Sequence, residues 1–376
     1  MQYRRFGKTE MQLSVFSLGT MRYLESESNA IKTIAQALDV GINHLETARG
    51  YGKSEAFIGA AMAKGLRYQR EQFYLTTKIT PTPDAATMRQ YIDESLQRMA
   101  VNYIDNFDVH GINTPEHLQE LQKNDGYMAA IHQAVKKGKI RHVGFSTHGP
   151  VEVILEAIKT NLFASVNLHY YYFNQRNAAA VELAHQQDMG VFIISPSDKG
   201  GMLYQPSAQL SQLCAPFTPL YMNDRFLLAD PRVHTLSLGA ANPSEVLAHQ
   251  SVWDQIHPLT AAEIAVFERL EIQMQTSLGN ERCAQCYACL PCPENINIPE
   301  ALRLRNLAVA FDMVEFGKYR YKMFENAGHW FPGTKAIHCT DCGDCLPRCP
   351  EDLAIPDLLR DTHDRLHGIE GKRLWD

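Results

Sequence analysis

The sequence predicts a (β/α)8 barrel, the TIM-barrel arrangement, followed by a smaller and mainly helical domain that is rich in cysteine. Up to about residue 250, eight short apolar segments alternate with amphipathic segments of helical period, which is typical of repeated βα units around a parallel sheet. No G-x-G-x-x-G follows an early strand, whereas an open dinucleotide-binding sheet would usually show one. From about residue 275 cysteine runs replace the alternation, so we predict domains at 1–275 and 276–376.

The predicted strands are short apolar runs, and helix-like segments such as SNAIKTIAQALDV and ATMRQYIDESLQRM separate them. The eight strands are expected at 13–19, 43–47, 73–78, 104–110, 141–146, 165–169, 191–195 and 234–239. This number and order favour a closed barrel over an open sheet. Beyond residue 275, IPEALRLRNLAVAFDMVEF and IPDLLRDTHDRL predict two further helices.

Composition limits the classes of partner and the cellular compartment. The 376 residues carry a formal net charge of -6 with no long run of one sign, which argues against nucleic-acid and anionic-membrane partners and favours small molecules or proteins. No stretch approaches the roughly 18 apolar residues that a bilayer span needs, and the start MQYRRFGKTE lacks an apolar leader segment. We therefore expect a cytoplasmic protein.

Eight of the nine cysteines fall in two related runs. The segments 292–303 and 349–360 share Cys, Pro, Glu, Ile, Pro, Leu and Arg at matching positions, and three evenly spaced cysteines precede each segment, so the tail contains an internal repeat. Three thiolates at every third position, followed by Cys-Pro, are the ligand pattern of 4Fe-4S ferredoxins, in which the fourth Cys binds the other cluster. We predict two 4Fe-4S clusters, with the ligand sets Cys283, Cys286, Cys289 with Cys349, and Cys339, Cys342, Cys345 with Cys292. Zinc is the competing interpretation, because paired C-x-x-C motifs also bind zinc.

Three predicted strands end on residues that are useful in acid–base chemistry: Glu46 in HLETA, Lys78 in YLTTK and His110 in FDVHG. The C-terminal ends of barrel strands converge on one mouth, where Tyr51 from the following loop could join them. Each residue alone has an ordinary structural explanation, such as an ion pair between Glu46 and Lys78. Their occurrence together at successive strand ends favours a catalytic group.

The segments INHLETARGYGKSE, YLTTK and YIDNFDVH resemble the aldo/keto reductase superfamily, whose pattern is D-T-A-x-x-Y-G-x-S-E followed by a strand-end Lys and a strand-end His. The resemblance covers about residues 1–250, and the tail resembles the subgroup with a C-terminal ferredoxin-type domain. It implies a catalytic tetrad of Glu46, Tyr51, Lys78 and His110, with NADPH or NADH as the hydride donor. In that scheme Tyr51 gives a proton to the carbonyl oxygen, Lys78 stabilises the phenolate, and His110 positions the carbonyl.

Three positions depart from the family pattern. Glu46 replaces the usual Asp, Ile194 stands where an aromatic residue commonly stacks on the nicotinamide, and Glu245 stands where many members have Arg or Gln. A charge-assisted contact to a 2′-phosphate is therefore missing at Glu245, and we expect weaker discrimination in favour of NADPH than usual. The other nucleotide contacts that we predict are Ser146, Asn167, Ser195 and Gly239.

The sequence therefore predicts an oxidoreductase that reduces a carbonyl substrate with NAD(P)H and is coupled to, or regulated by, two 4Fe-4S clusters. Hydride transfer does not itself use single electrons, so the barrel chemistry leaves the clusters unexplained. Two alternatives stay open: an electron-transfer enzyme served by an external ferredoxin or flavodoxin, and a redox sensor or binding module whose barrel is inactive.

Overall fold

The computed structural model describes residues 1–64 and 66–368, which pack into two compact units. The first unit comprises residues 1–200 and 223–258, and the second comprises residues 201–222 and the segment that begins at Leu259. The boundary predicted after residue 275 falls inside a helix of the second unit, Ala261–Leu278. The assignment of domains to 1–275 and 276–376 stays a prediction.

Eight parallel strands close into a barrel in the first unit, which confirms the predicted fold class. A two-stranded antiparallel sheet, β1 with β2, precedes the barrel, and the barrel order is β10-β3-β4-β5-β6-β7-β8-β9 once the strands are numbered along the chain. The strands are β1 Tyr3–Arg5, β2 Gln12–Ser14, β3 Phe16–Gly19, β4 His44–Glu46, β5 Tyr74–Ile79, β6 Ile104–His110, β7 Ile140–Ser146, β8 Ser165–Leu168, β9 Gly190–Ile193 and β10 Thr235–Leu238.

All eight predicted barrel strands are present, and β6 has the predicted bounds. The segment 13–19 is divided, because residues 12–14 pair with β1 and only β3 enters the barrel. The β1–β2 hairpin was not predicted. Its first strand reads YRR, and Tyr3 and Arg5 are exposed, so no alternation of apolar and polar residues marks it.

Fourteen α-helices occur in the part of the chain that the structure describes, and none of them combines the length and the apolar character needed to cross a bilayer. Side-chain caps explain several starts: Ser26 accepts from the backbone N–H of Asn29, and Asp84 accepts from that of Thr87. The helices are α1 Glu27–Asp39, α2 Ser54–Ala63, α3 Ala85–Met99, α4 Pro115–Leu121, α5 Tyr127–Lys136, α6 Val151–Lys159, α7 Ala178–Gln186, α8 Ala208–Cys214, α9 Pro219–Leu228, α10 Pro243–Leu247, α11 Ala261–Leu278, α12 Ile298–Phe311, α13 Val314–Tyr321 and α14 Ile355–Leu366.

The interior of the barrel holds a hydrogen-bonded polar layer in addition to apolar side chains. The ring of His44 contacts the hydroxyls of Ser17 and Thr76 at 2.7 and 2.8 Å. Burial lowers the pKa of His44 to about 3, and the charge of Lys78 adds to the effect. His44 is therefore neutral at physiological pH and serves as a hydrogen-bonding group of the core.

In the second unit, the two copies of the sequence repeat form α12 and α14, which pack against each other. Both helices begin at Ile-Pro, where proline fits because the first turn has no intrahelical N–H partner to lose. Residues 201–222 pack with the C-terminal helices: the Ser207 hydroxyl donates to the Phe311 carbonyl at 2.6 Å, and Arg269 Nε donates to the Leu213 carbonyl at 2.7 Å.

Candidate active site and metal centres

One cavity in the first unit brings the four proposed catalytic side chains together. Glu46, Lys78 and His110 lie at or next to the C-terminal ends of β4, β5 and β6, and Tyr51 follows β4 in the loop before α2. Three of the predicted nucleotide contacts share this cavity. Its lining consists of Gly19, Met21, Arg22, Glu46, Tyr51, Lys78, His110, Ser146, His148, Ile194, Ser195, Lys199, Ser237 and Gly239.

Lys78 and Glu46 form a buried ion pair in the wall of the cavity, with only 3% and 7% of their side chains exposed. The ammonium of Lys78 also donates to the Thr47 carbonyl at 2.8 Å. Burial lowers the pKa of Lys78, and the positive charge of Lys199 lowers it further, while the carboxylate of Asp108 opposes both effects. Because Glu46 still reaches Lys78, the methylene that it adds relative to Asp does not remove the contact.

Tyr51 is close to both Lys78 and His110. The ammonium of Lys78 lies 4.8 Å from the centre of the Tyr51 ring, and the rings of Tyr51 and His110 meet edge to face with their centres 5.7 Å apart. A turn positions Tyr51, since its N–H donates to the Ala48 carbonyl and its own carbonyl accepts from the N–H of Ser54. A phenol, an ammonium and an imidazole are thus neighbours, the set required to protonate a carbonyl oxygen.

Asp108 is a buried carboxylate of this site that the sequence analysis did not single out. It accepts from the side-chain amide of Asn106 on one oxygen and from that of Asn167 on the other, both at 2.8 Å. Burial raises the pKa of Asp108, and the charge of Lys78 opposes the effect. The sequence could have indicated Asp108, because it lies two residues before His110 on a predicted strand and its side chain therefore points to the same face of the sheet.

Asn167, predicted to contact the nucleotide, has its side-chain amide engaged by Asp108. The contact crosses from β8 to β6, over β7, and it passes Gly144, where an added Cβ would come within 2.4 Å of Asp108. Glycine at that position therefore leaves room for the Asp108 carboxylate. Asn167 lies within the barrel as a support of Asp108, and its role toward a nucleotide stays a prediction.

Glu245, the other predicted nucleotide residue, is paired with Arg22. Their side chains approach at 2.7 Å, Arg22 also donates to the Gly239 carbonyl at 2.5 Å, and the N–H of Ala241 donates to Glu245 at 2.9 Å. The charge of Glu245 is therefore largely neutralised by Arg22. Sequence reasoning missed this partner, although Arg22 follows a predicted strand end by only three residues.

His148 and Lys199 also line the cavity without having been predicted. His148 is two residues beyond the end of β7, and Lys199 lies in the segment after β9. Charged and polar residues that closely follow barrel strands are the signal that could have identified both. Together with Arg22 they make the lining rich in groups that bind anionic or strongly polar ligands.

The cysteines of the second unit group across the two runs. One cavity is lined by Cys292 of the first run and by the first three cysteines of the second run, Cys339, Cys342 and Cys345. On the other side, burial raises the pKa of Cys283, and the neighbouring thiols of Cys286 and Cys349 raise it further. Cys292 therefore shares a cavity with the first three cysteines of the second run, and Cys349 lies near Cys283 and Cys286. The assignment of the eight cysteines to two crossed ligand sets stays a prediction.

The four thiols around one cavity supply the ligand set of a 4Fe-4S cluster. Zinc draws its four ligands to about 2.3 Å from one centre. Within residues 1–64 and 66–368, no three His, Cys, Asp or Glu side chains are placed to hold one metal ion. A 4Fe-4S cube takes four thiolates, one at each corner iron, and four cysteines line this cavity.

Comparisons with known proteins agree with both units. The profile of the Aldo/keto reductase family matches residues 16–214, and that of the 4Fe-4S dicluster domain matches residues 282–354. The chain is 25% identical over 225 residues to the uncharacterized oxidoreductase YqkF of Bacillus subtilis, covering 56% of this chain and 70% of that protein. It is 27% identical over 248 residues to the L-glyceraldehyde 3-phosphate reductase of Escherichia coli O157:H7, covering 58% and 62%.

A solved structure supports the fold of the first unit. The aldo-keto reductase AKR11C1 from Bacillus halodurans, in its holo form, superposes with a TM-score of 0.62 at 24% identity, covering 72% of this chain and 96% of that one. The family profile spans more than half of the chain and includes Glu46, Tyr51, Lys78 and His110. The chain therefore belongs to the aldo/keto reductase family, and it carries a 4Fe-4S dicluster domain in its C-terminal region.

Proposed function

We propose that the barrel reduces a small carbonyl compound with NAD(P)H and that Tyr51 is the proton donor. The observation that carries this proposal is the meeting of Tyr51, Lys78, Glu46 and His110 around one cavity at the strand ends. When bound, the reduced nicotinamide supplies a hydride to the carbonyl carbon. The side chains of this cavity donate the proton and position the substrate.

Tyr51 and Lys78 divide the proton chemistry. The neutral phenol of Tyr51 donates a proton to the carbonyl oxygen, and the cation of Lys78, 4.8 Å from the ring centre, stabilises the phenolate that remains. Glu46 keeps Lys78 charged in a buried position where its pKa is otherwise lowered. Asp108 adds a second carboxylate on the same side.

His110 positions the substrate. Its ring contacts the edge of Tyr51, so a carbonyl oxygen that accepts from the imidazole also lies within reach of the phenol. The nucleotide would be held by Ser146, Ser195, Gly239 and Arg22 on the same cavity, with Asn167 and Glu245 behind them. Because Arg22 offsets Glu245, we propose that the site accepts NADH as well as NADPH.

The lining favours a polar substrate. Besides the tetrad it presents Ser146, Ser195, Ser237, His148 and Lys199, against two larger apolar side chains, Met21 and Ile194. The relative from Escherichia coli is named for a phosphorylated hydroxyaldehyde. We propose small, hydroxylated carbonyl compounds as the substrate class.

The experiment that tests the reductase proposal is Tyr51→Phe. This variant keeps the ring but loses the donor, so NAD(P)H oxidation with an aldehyde should fall at least 100-fold while nucleotide binding and the cluster absorbance stay as in the wild type. Tyr68→Phe is the matched control, because Tyr68 is half-buried and contacts Asp39 and Arg67 outside the cavity. Full residual activity in Tyr51→Phe would mean that another group donates the proton.

For the tail, we propose two 4Fe-4S clusters held by the two crossed sets of four cysteines. When bound, the clusters supply one-electron transfer. Two clusters favour a relay over a structural cross-link, because one would be enough to hold the tail. A small carrier such as a ferredoxin or flavodoxin is the proposed partner.

The relay is tested by mixing the reduced protein with substrate and following cluster absorbance and electron paramagnetic resonance. Clusters that change oxidation state at the rate of turnover support the relay. Clusters that stay in one state while product forms would leave a sensing or structural role. A barrel with no turnover would support the sensor alternative instead.

A further inference from the structure

A chain of hydrogen bonds runs from the active-site cavity into the barrel. His148 lines the cavity together with Tyr51 and His110. Its Nδ1 lies 2.9 Å from Nε2 of His169, whose Nδ1 lies 2.5 Å from the hydroxyl of Tyr171. The Tyr171 hydroxyl in turn donates to the Ile194 carbonyl. His169 and Tyr171 are buried, with 5% and 1% of their surfaces exposed.

The last bond sets the direction of all the others. The Ile194 carbonyl can only accept, so the single hydroxyl hydrogen of Tyr171 points to it. The Tyr171 oxygen must then accept from Nδ1–H of His169, which leaves Nε2 of His169 as an acceptor. That acceptor takes the Nδ1–H of His148. Neutral His148 therefore carries its lone pair on Nε2.

The backbone around His148 is also held in place. The N–H of His148 donates to the side-chain oxygen of Asn113 at 2.7 Å, and its carbonyl accepts from Arg176 at 3.2 Å. Gly149 permits the close approach of the two loops, since an added Cβ would lie 2.8 Å from the Asn113 carbonyl oxygen. The loop after β7, which carries His148, is thereby fixed against the loop that follows His110 at the end of β6.

From these contacts we propose that His148 determines substrate specificity by accepting a hydrogen bond from a hydroxyl next to the reacting carbonyl. A carbonyl oxygen held by Tyr51 and His110 leaves the neighbouring carbon in the cavity that His148 lines. An oriented acceptor favours a donor hydroxyl there and discriminates against a compound without one. His169 and Tyr171 are positioning residues that hold the imidazole in the required tautomer. The inference rests on the proposed carbonyl reduction.

The test compares two aldehydes that differ only by one hydroxyl, 2-hydroxypropanal and propanal, with kcat/KM corrected for the hydrated fraction of each. For the wild type we expect a preference of about tenfold for the hydroxylated compound, from one well-placed hydrogen bond. His148→Ala should abolish this preference. His148→Gln, which keeps an acceptor oxygen at a similar reach, should retain part of it. His185→Gln, on the exposed end of α7, is the matched control and should keep the full preference.

Tyr171→Phe tests the chain of hydrogen bonds from His148 to Tyr171. Removing the hydroxyl frees His169 to adopt the other tautomer, so the preference should fall several-fold although Tyr171 is not part of the cavity lining. A preference that survives in both His148→Ala and Tyr171→Phe would overturn the inference, as would equal losses in His148→Ala and His148→Gln. Wild-type protein that reduces both aldehydes equally well contradicts this inference alone. Wild-type protein that reduces neither contradicts the proposed function and, with it, the inference.

Discussion

Replacing Glu46 by Gln should uncouple Lys78 from its charge partner and make both stability and activity depend on pH in a defined direction. Glu46 and Lys78 have 7% and 3% of their side chains exposed, so water cannot replace the lost carboxylate. Breaking a buried ion pair costs about 3–5 kcal/mol, and we expect the lower end because Asp108 remains near Lys78. The pKa of Lys78, already lowered by burial, should fall further.

The sign of the pH dependence follows from that direction. An amine whose pKa is lower in the folded state binds more protons when unfolded, so the folded state gains stability as pH rises through the window between the two pKa values. The deficit of Glu46→Gln relative to the wild type should therefore be largest at mildly acidic pH, where Glu46 is ionised and Lys78 is charged, and should shrink as pH rises and Lys78 becomes neutral. Urea unfolding under anaerobic conditions at several pH values measures this difference.

The activity of the variant should change with pH in the opposite direction to its stability and fall as pH rises. At 4.8 Å from the Tyr51 ring centre, a unit charge stabilises a phenolate by about 3.5 kcal/mol at an effective dielectric constant near 20. Loss of that charge would slow reduction by about 400-fold. The Glu46→Gln enzyme should thus lose activity as pH rises and Lys78 deprotonates, at lower pH than the wild type.

Glu46→Asp is the control, since it restores the carboxylate that other family members carry. It should keep the wild-type pH profile of kcat/KM to within a few-fold. If the stability and the activity of Glu46→Gln depend on pH in the same way as those of the wild type, the charge of Lys78 does not depend on Glu46. The proposed division of roles in the tetrad is then wrong.

The remaining predictions concern the metal, the nucleotide and acid stability. Anaerobically purified protein should contain about eight irons and eight labile sulfides per chain, and stoichiometric zinc after reconstitution would contradict this. Cys349→Ser should alter the spectrum of the cluster held by the first cysteine run and Cys292→Ser that of the other, whereas the reverse pattern would refute the crossed sets. Titrations should show less than tenfold tighter binding of NADPH than of NADH, and Glu245→Gln should shift binding further toward NADPH by freeing the charge of Arg22. Burial lowers the pKa of His234 to about 4, so the barrel should lose stability as pH falls below about 6.5, and His234→Gln should make that decline shallower by up to about 1.4 kcal/mol per pH unit.

Local patterns account for what could be predicted from the sequence alone. The alternation of strands and helices depends on side-chain periodicity over a few residues, and it located all eight barrel strands. Because parallel strands end at one mouth, the positions of Glu46, Lys78 and His110 at strand ends were enough to expect them in one cavity. The cysteine repeat was equally visible, since its spacing is a property of short segments.

Contacts between distant segments could not be predicted in this way. The hydrogen bond from Asn167 to Asp108 spans 59 residues and depends on the missing side chain of Gly144 on the strand between them. The pairing of Arg22 with Glu245 spans 223 residues. It offsets the negative charge of Glu245, and the sequence alone does not show this partner.

The sequence identifies candidate residues, whereas their charge and proton positions depend on contacts that form only in the folded chain. The sequence by itself determined the barrel, the residues at its strand ends and the two cysteine runs, because each of these depends on local periodicity or spacing. Only the tertiary structure decided which groups neutralise or support one another, from the tautomer of His148 to the packing of residues 201–222 with the C-terminal helices. The physical reason is that charge, proton position and burial depend on neighbours brought together by folding, and a sequence does not record those distances.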